Sequence, residues 1–77
     1  MLTVREIKTT KDMHELLKDP KNIFEARDLL YELGESVSRE VIDVDHETTL
    51  FEEVYKIELE DDTMFVPVRI KLTIKTP

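Results

Sequence analysis

Residues 50–75 read LFEEVYKIELEDDTMFVPVRIKLTIK, and the alternation in this stretch decides the fold. On the first arm Phe51, Tyr55, Ile57 and Leu59 are apolar, while Glu52, Lys56, Glu58 and Glu60 occupy the even positions. On the second, Val66, Val68, Ile70, Leu72 and Ile74 alternate with Pro67, Arg69, Lys71, Thr73 and Lys75. Successive strand side chains point to opposite faces, so each arm offers one face to a core and one to water. Asp61, Asp62 and Thr63 interrupt the pattern with turn-forming residues, which predicts a long β-hairpin. A one-residue slip would expose one arm's apolar face, so only loops of two or four residues are compatible. The two-residue loop sets Tyr55 opposite Val68, Phe51 opposite Leu72 and Glu52 opposite Lys71.

Working outward, Val37 to Val44 is rich in β-branched residues and predicts a further strand, with a helical extension as the alternative. The adjacent Val41 and Ile42 blur which of its faces is buried. Asp45, His46, Glu47 and Thr48 form the turn between this strand and the hairpin. Upstream, Ile23, Phe24, Ala26, Leu29, Leu30, Tyr31 and Leu33 span a broad apolar arc at helical spacing, with Glu25, Asp28 and Glu32 opposite. The helix is expected from Pro20 to Leu33, capped by Asp19 and closed by Gly34 in a left-handed conformation. A shorter helix follows Thr9 and Thr10, with Asp12 in its first turn and a stripe of Met13, Leu16 and Leu17. Met1 to Lys8 suits a short edge strand, although the alternation slips between Val4 and Ile7. The expected fold is therefore one two-layer α+β domain over residues 1–77, order β-α-α-β-β-β, with two helices on one face of an antiparallel sheet. The first strand is expected either parallel to the second or beside the last.

The 77 residues carry a net charge of −7, distributed as +1 over residues 1–22, −11 over 23–62 and +3 over 63–77. The middle of the chain is thus an acidic belt and the last strand is basic. Without cysteine there is no disulfide, thiol nucleophile or Cys-ligated zinc site. The charged first eight residues are neither a signal peptide nor a membrane span, which gives a cytoplasmic expectation. Charged residues at 38%, no glutamine and one asparagine follow the pattern of thermophile proteomes.

Chemistry is harder to place. His14 and His46 lie apart, Ser36 and Ser38 sit in no nucleophile elbow, and one glycine cannot build a phosphate-cradling loop, so no enzyme is expected. The sharpest ligand candidates are carboxylates in turns: Asp43, Asp45 and Glu47 at one end of the hairpin, Asp61 and Asp62 at the other. Calcium takes six to eight oxygen ligands, and alternating carboxylates can supply some of them. The two clusters cannot share an ion, because Thr49 to Glu60 spans about 40 Å as a strand. The first functional expectation is therefore a small binding module that takes up Ca²⁺ through acidic loops. The alternative is a metal-free protein-interaction module, monomer or homodimer, using the basic last strand and the acidic belt. Lys56, Arg69, Lys71 and Lys75 with Phe65 are too few, on so acidic a chain, for nucleic acid. Finally, Arg27 falls inside the apolar arc of its helix and Glu53 between Phe51 and Tyr55 on the core face. Two such intrusions predict a structural ion pair, with Glu40 as the second candidate partner for Arg27.

Overall fold

The computed structural model describes residues 4–18 and 22–74. The chain runs through a single 3-10 turn at Val4–Glu6, helices α1 (Thr10–Leu17) and α2 (Ile23–Leu33), and strands β1 (Glu35–Val44), β2 (Thr48–Glu58) and β3 (Thr63–Thr73). The sheet is antiparallel, ordered β1-β2-β3, and both helices lie on one face, so the fold is the expected small α+β arrangement.

Local chemistry sets the helix boundaries. Thr9 caps α1 by accepting from the Asp12 amide at 3.3 Å, and the Asp12 carboxylate accepts from the Thr9 amide at 3.2 Å in a reciprocal capping box. Asn22 caps α2 by accepting from the Glu25 amide at 2.7 Å. The expected Asp19 cap and the Pro20 start lie outside the described residues. The beginning of the expected first strand does too, and its remainder is the 3-10 turn: Val4 and Ile7 have helical rather than strand spacing, and the Ile7 amide donates to the Val4 carbonyl at 3.3 Å.

The hairpin takes the four-residue loop. Glu58 pairs with Thr63, so Tyr55 faces Val66, Phe51 faces Ile70 and Glu52 faces Arg69. This corrects the two-residue register while keeping every apolar side chain on the same face. Contacts from distant residues hold the longer loop: the Glu60 amide donates to the Lys8 carbonyl at 2.8 Å, and Asp61 accepts from Thr10.

Strand β1 carries two irregularities. Its partners shift by one residue at Val37 and again at Ile42, each a β-bulge. Ser36 lies opposite Tyr55, Arg39 opposite Glu53, Val41 opposite Phe51 and Val44 opposite Thr49, all on the core face. Met13, Leu30, Tyr55, Ile57 and Ile70 form the fully buried centre, with Ile7, Val66 and Val68 around it.

Gly34 occupies the helix terminus as expected, for a different reason. Its backbone is extended, φ −158°, ψ −159°, so no left-handed conformation is involved. The backbone here runs against β2: a Cβ on residue 34 would collide with the Lys56 carbonyl oxygen and come within 2.5 Å of Ile57 Cδ1. Gly34→Ala is therefore expected to destabilise the fold by about 2 kcal/mol through overpacking, although alanine is the better helix former. Urea unfolding of the two chains checks it, and equal midpoints would contradict the close-approach argument.

Candidate functional site

The residues that converge in this fold are Glu53, Arg27, Arg39, Tyr55 and Tyr31. Glu53 points from β2 into the core and is 1% exposed. A bare carboxylate there would be several kcal/mol unfavourable, so partners are obligatory. Arg27 on α2 donates from Nε to Glu53 Oε2 at 3.2 Å, which is the ion pair expected from sequence. Arg39 on β1 donates from Nε to Oε1 at 2.8 Å and also through Nη2. The Tyr55 hydroxyl donates to Oε2. The cluster continues outward, since Arg27 Nη2 donates to the Tyr31 hydroxyl at 2.7 Å and the Tyr31 and Tyr55 rings meet edge to face at 5.3 Å. The Arg39 guanidinium stands 5.1 Å above the centre of the Phe51 ring, a cation–π arrangement.

Periodicity places Tyr31 and Tyr55 on the apolar faces of their elements without marking them as partners of Glu53, and it does not bring Arg39 here at all. Strict alternation from Glu35 would put Arg39 beside Glu52 on the outer face. The Val37 bulge changes its parity and carries it across to Glu53. Two adjacent β-branched residues, Val41 and Ile42, were the one visible sign that β1 does not alternate.

Electrostatically the cluster is two guanidinium groups around one carboxylate. Burial pushes the Glu53 carboxyl up, but the hydrogen bonds from Tyr55, Arg39 and Arg27 outweigh it and hold the group at about 2, below the ordinary 4.5. Burial, reinforced by the bond to Glu53, pushes the Tyr55 phenol up from its ordinary value. The Glu53 carboxylate, the two guanidinium groups and the Tyr55 hydroxyl thus fix one another in place.

The carboxylates expected to bind metal do not converge. Asp43 lies opposite Leu50 on the outer face of the sheet. Asp45 accepts through Oδ1 from the Glu47 amide at 2.9 Å and the Thr48 amide at 2.7 Å, which shapes the β1–β2 turn. Glu47 lies 3.4 Å from His46 Nε2. At the other end Asp61 accepts from the Thr10 amide at 2.9 Å and the Thr10 hydroxyl at 2.5 Å, pinning the hairpin loop to the start of α1. Those Thr10 bonds hold its carboxyl below the usual range. Asp62 accepts from the Thr63 amide at 2.8 Å. Among the described residues no group of three or more His, Asp or Glu side chains is placed to hold a metal ion.

A shallow groove of about 330 Å³ lies between the end of α2 and β2, lined by Leu33, Gly34, Glu35, Lys56 and Glu58. It contains a Lys56–Glu58 ion pair at 3.3 Å, and no histidine, serine or threonine lines it. No helix among the described residues is long and apolar enough to cross a membrane. No family model matches the chain, and no curated protein or solved structure matches it.

Because Glu53 titrates lower when folded than unfolded, its contribution is complete above the ordinary 4.5 and is lost as pH falls toward about 2. Asp12, chiefly through the Lys8 amide, and Asp61 are also lowered, so all three favour the fold in the same direction. The melting temperature is expected to fall as pH drops below 4.5. Glu53→Gln should cost about 3 kcal/mol at neutral pH, because two guanidinium groups lose their counter-charge, and it should flatten that acid limb. Melting curves of both chains from neutral to strongly acidic pH check both statements, and parallel acid limbs would contradict the assignment to Glu53.

Proposed function

We propose that this chain is a non-enzymatic protein-interaction module that meets its partner through the part of its sheet that the helices leave open. One observation carries this reading. On the core face, Ile70 is covered, while Val41 in the same row is 59% exposed, and in the next row Val44 is 63% and Leu72 48% exposed. Phe51 and the Arg39 guanidinium border these aliphatic residues. Aromatic and arginine side chains beside a contiguous apolar surface are the composition of interface centres, and such surfaces on small domains mark association sites. The acidic belt and the basic last strand then serve to orient approach.

Calcium uptake has less to rest on. Asp45 and Asp61 each commit carboxylate oxygen to backbone amides, and Asp43 lies on the outer face of the sheet. Among the described residues no three possible ligands come together at either turn, short of the six to eight oxygens that calcium takes. In an NMR titration with CaCl₂, no amide of residues 43–48 or 58–63 is expected to shift beyond the effect of matched ionic strength. A saturable shift at either turn would restore the cation reading.

The interaction reading is tested by placing a photo-crosslinking side chain at position 72, on the open face, and at position 32, on the exposed side of α2, in the cells that make the protein. A discrete adduct at 72 and none at 32 is expected. No adduct at 72, or equal labelling at both, would defeat the reading.

A further inference from the structure

We infer that the open sheet face is covered by a second copy of this chain, the two sheets stacking face to face about a twofold axis at the row Val44–Thr49–Leu72. The inference rests on the interaction reading above and names its partner. Three observations carry it.

The first is how β1 is built. Without the bulge at Ile42, regular pairing would place Asp43 opposite Thr49 on the core face and turn Val44 to the other side. With the bulge, Val44 joins Leu72 on the core face and Asp43 moves opposite Leu50 on the outer one. The irregularity thus puts an exposed aliphatic side chain at each end of the row Val44–Thr49–Leu72, which no helix among the described residues covers. Just past the end of β3, Ile74 is 55% exposed, and its amide donates to the Glu47 carbonyl at 2.7 Å, so exposed apolar side chains continue to the β1–β2 turn.

The second is charge. At one end of the open face stands Arg39, 58% exposed, one of two guanidinium groups sharing a single carboxylate. At the other end is the turn carrying Asp45 and Glu47. Within one molecule these ends are roughly 20 Å apart along the sheet and cannot meet. A twofold axis through the row Val44–Thr49–Leu72 brings the Glu47 turn of each copy over the Phe51 row of the other, where the Arg39 guanidinium lies, and stacks Val44 and Leu72 between them. Complementary halves on one chain make an isologous contact self-consistent. Stacked sheets lie ~10 Å apart, so the second sheet continues the layer that α2 begins.

The third is that the sheet edges discourage the alternative of strand addition. Strand β1 is bulged twice, and β3 carries Pro67 together with the edge charges Arg69 and Lys71. Bulges, proline and basic side chains are the devices that keep an edge from pairing.

Sedimentation velocity of the purified chain up to about 1 mM is expected to show a reversible monomer–dimer equilibrium with nothing larger. Leu72→Glu and Val44→Glu change exposed side chains, so both variants should keep the parent circular dichroism while raising the dissociation constant at least about tenfold. Glu47→Lys should weaken the dimer and remove most of its salt dependence, whereas Lys71→Glu, on the outer face, should leave it unchanged. Isotope-filtered NOEs in a mixed-label sample should connect Val44 of one copy with its counterpart in the other. A chain that stays monomeric at every concentration overturns the inference, as does a dimer indifferent to Leu72→Glu or abolished by Lys71→Glu. If a monomeric chain still crosslinks a different protein from position 72, the self-association fails while the interaction module stands.

Discussion

The structure depends on a charge held where charge is least tolerated. Glu53 is buried on the face that α2 covers, and its partners come from three elements: Arg27 from α2, Arg39 from β1 and Tyr55 from β2 itself. Hydrophobic packing would accept α2 in several rotations and β1 in more than one register, because aliphatic contacts are not directional. A buried carboxylate would not, since any arrangement that strands it without donors carries the full desolvation cost. Such a network need not exceed in stability the apolar residues that could replace it. Here its geometric consequence is plain: it orders the helix, the central strand and the first strand about one point.

That requirement also gives a reason for the bulge at Val37. Arg39 reaches Glu53 only because the extra residue moves it from the outer face to the inner. The outer face carries the other consequence of that extra residue. The same bulge puts Glu40 opposite Glu52, a like-charge pair, with Arg69 on the other side of Glu52 at 3.6 Å to offset it. That face mixes these charges with Leu50, Val54, Pro67 and the exposed Phe65, and it is left uncovered, as one face of an antiparallel sheet can be. The two faces of this sheet therefore obey different rules, and the bulges in β1 enforce the difference.

Much of this could be read in the sequence, and the failures share a cause. The hairpin, the two helices and the Arg27–Glu53 pair follow from periodicity, because period 2 and period 3.6 each assign a side chain to a face without knowledge of distant residues. The expected two-residue hairpin loop gives way to a four-residue one because Glu60 and Asp61 are held by Lys8 and Thr10, some fifty positions away in sequence. Arg39 was missed because a bulge reverses parity, and periodicity carries no marker for the extra residue. Gly34 stood where a helix ends, but its φ is extended, and the need for glycine comes from the Lys56 carbonyl on a strand not yet formed when the helix is considered alone. The acidic turns looked like ligand clusters because Asp serves backbone turns and cations with the same oxygens.

The open half of the inner face follows from lengths. Strand β2 has 11 residues and extends roughly 36 Å, whereas α2 has 11 residues and extends roughly 16 Å. A helix and a strand of equal residue count cannot cover one another, and α1, pinned to the hairpin loop by Asp61, covers the far end rather than the near one. Alternation nevertheless continues through Leu72 and Ile74 as though the core did too, and the Ile42 bulge adds Val44 to the same face. In a chain of 77 residues, where each buried side chain is a large fraction of a small core, apolar rows continued past their cover are poorly explained by the folding of one copy alone. They are explained if the layer that α2 begins is finished by another sheet, which makes the surplus length of the strands part of an interface and not an excess of the fold.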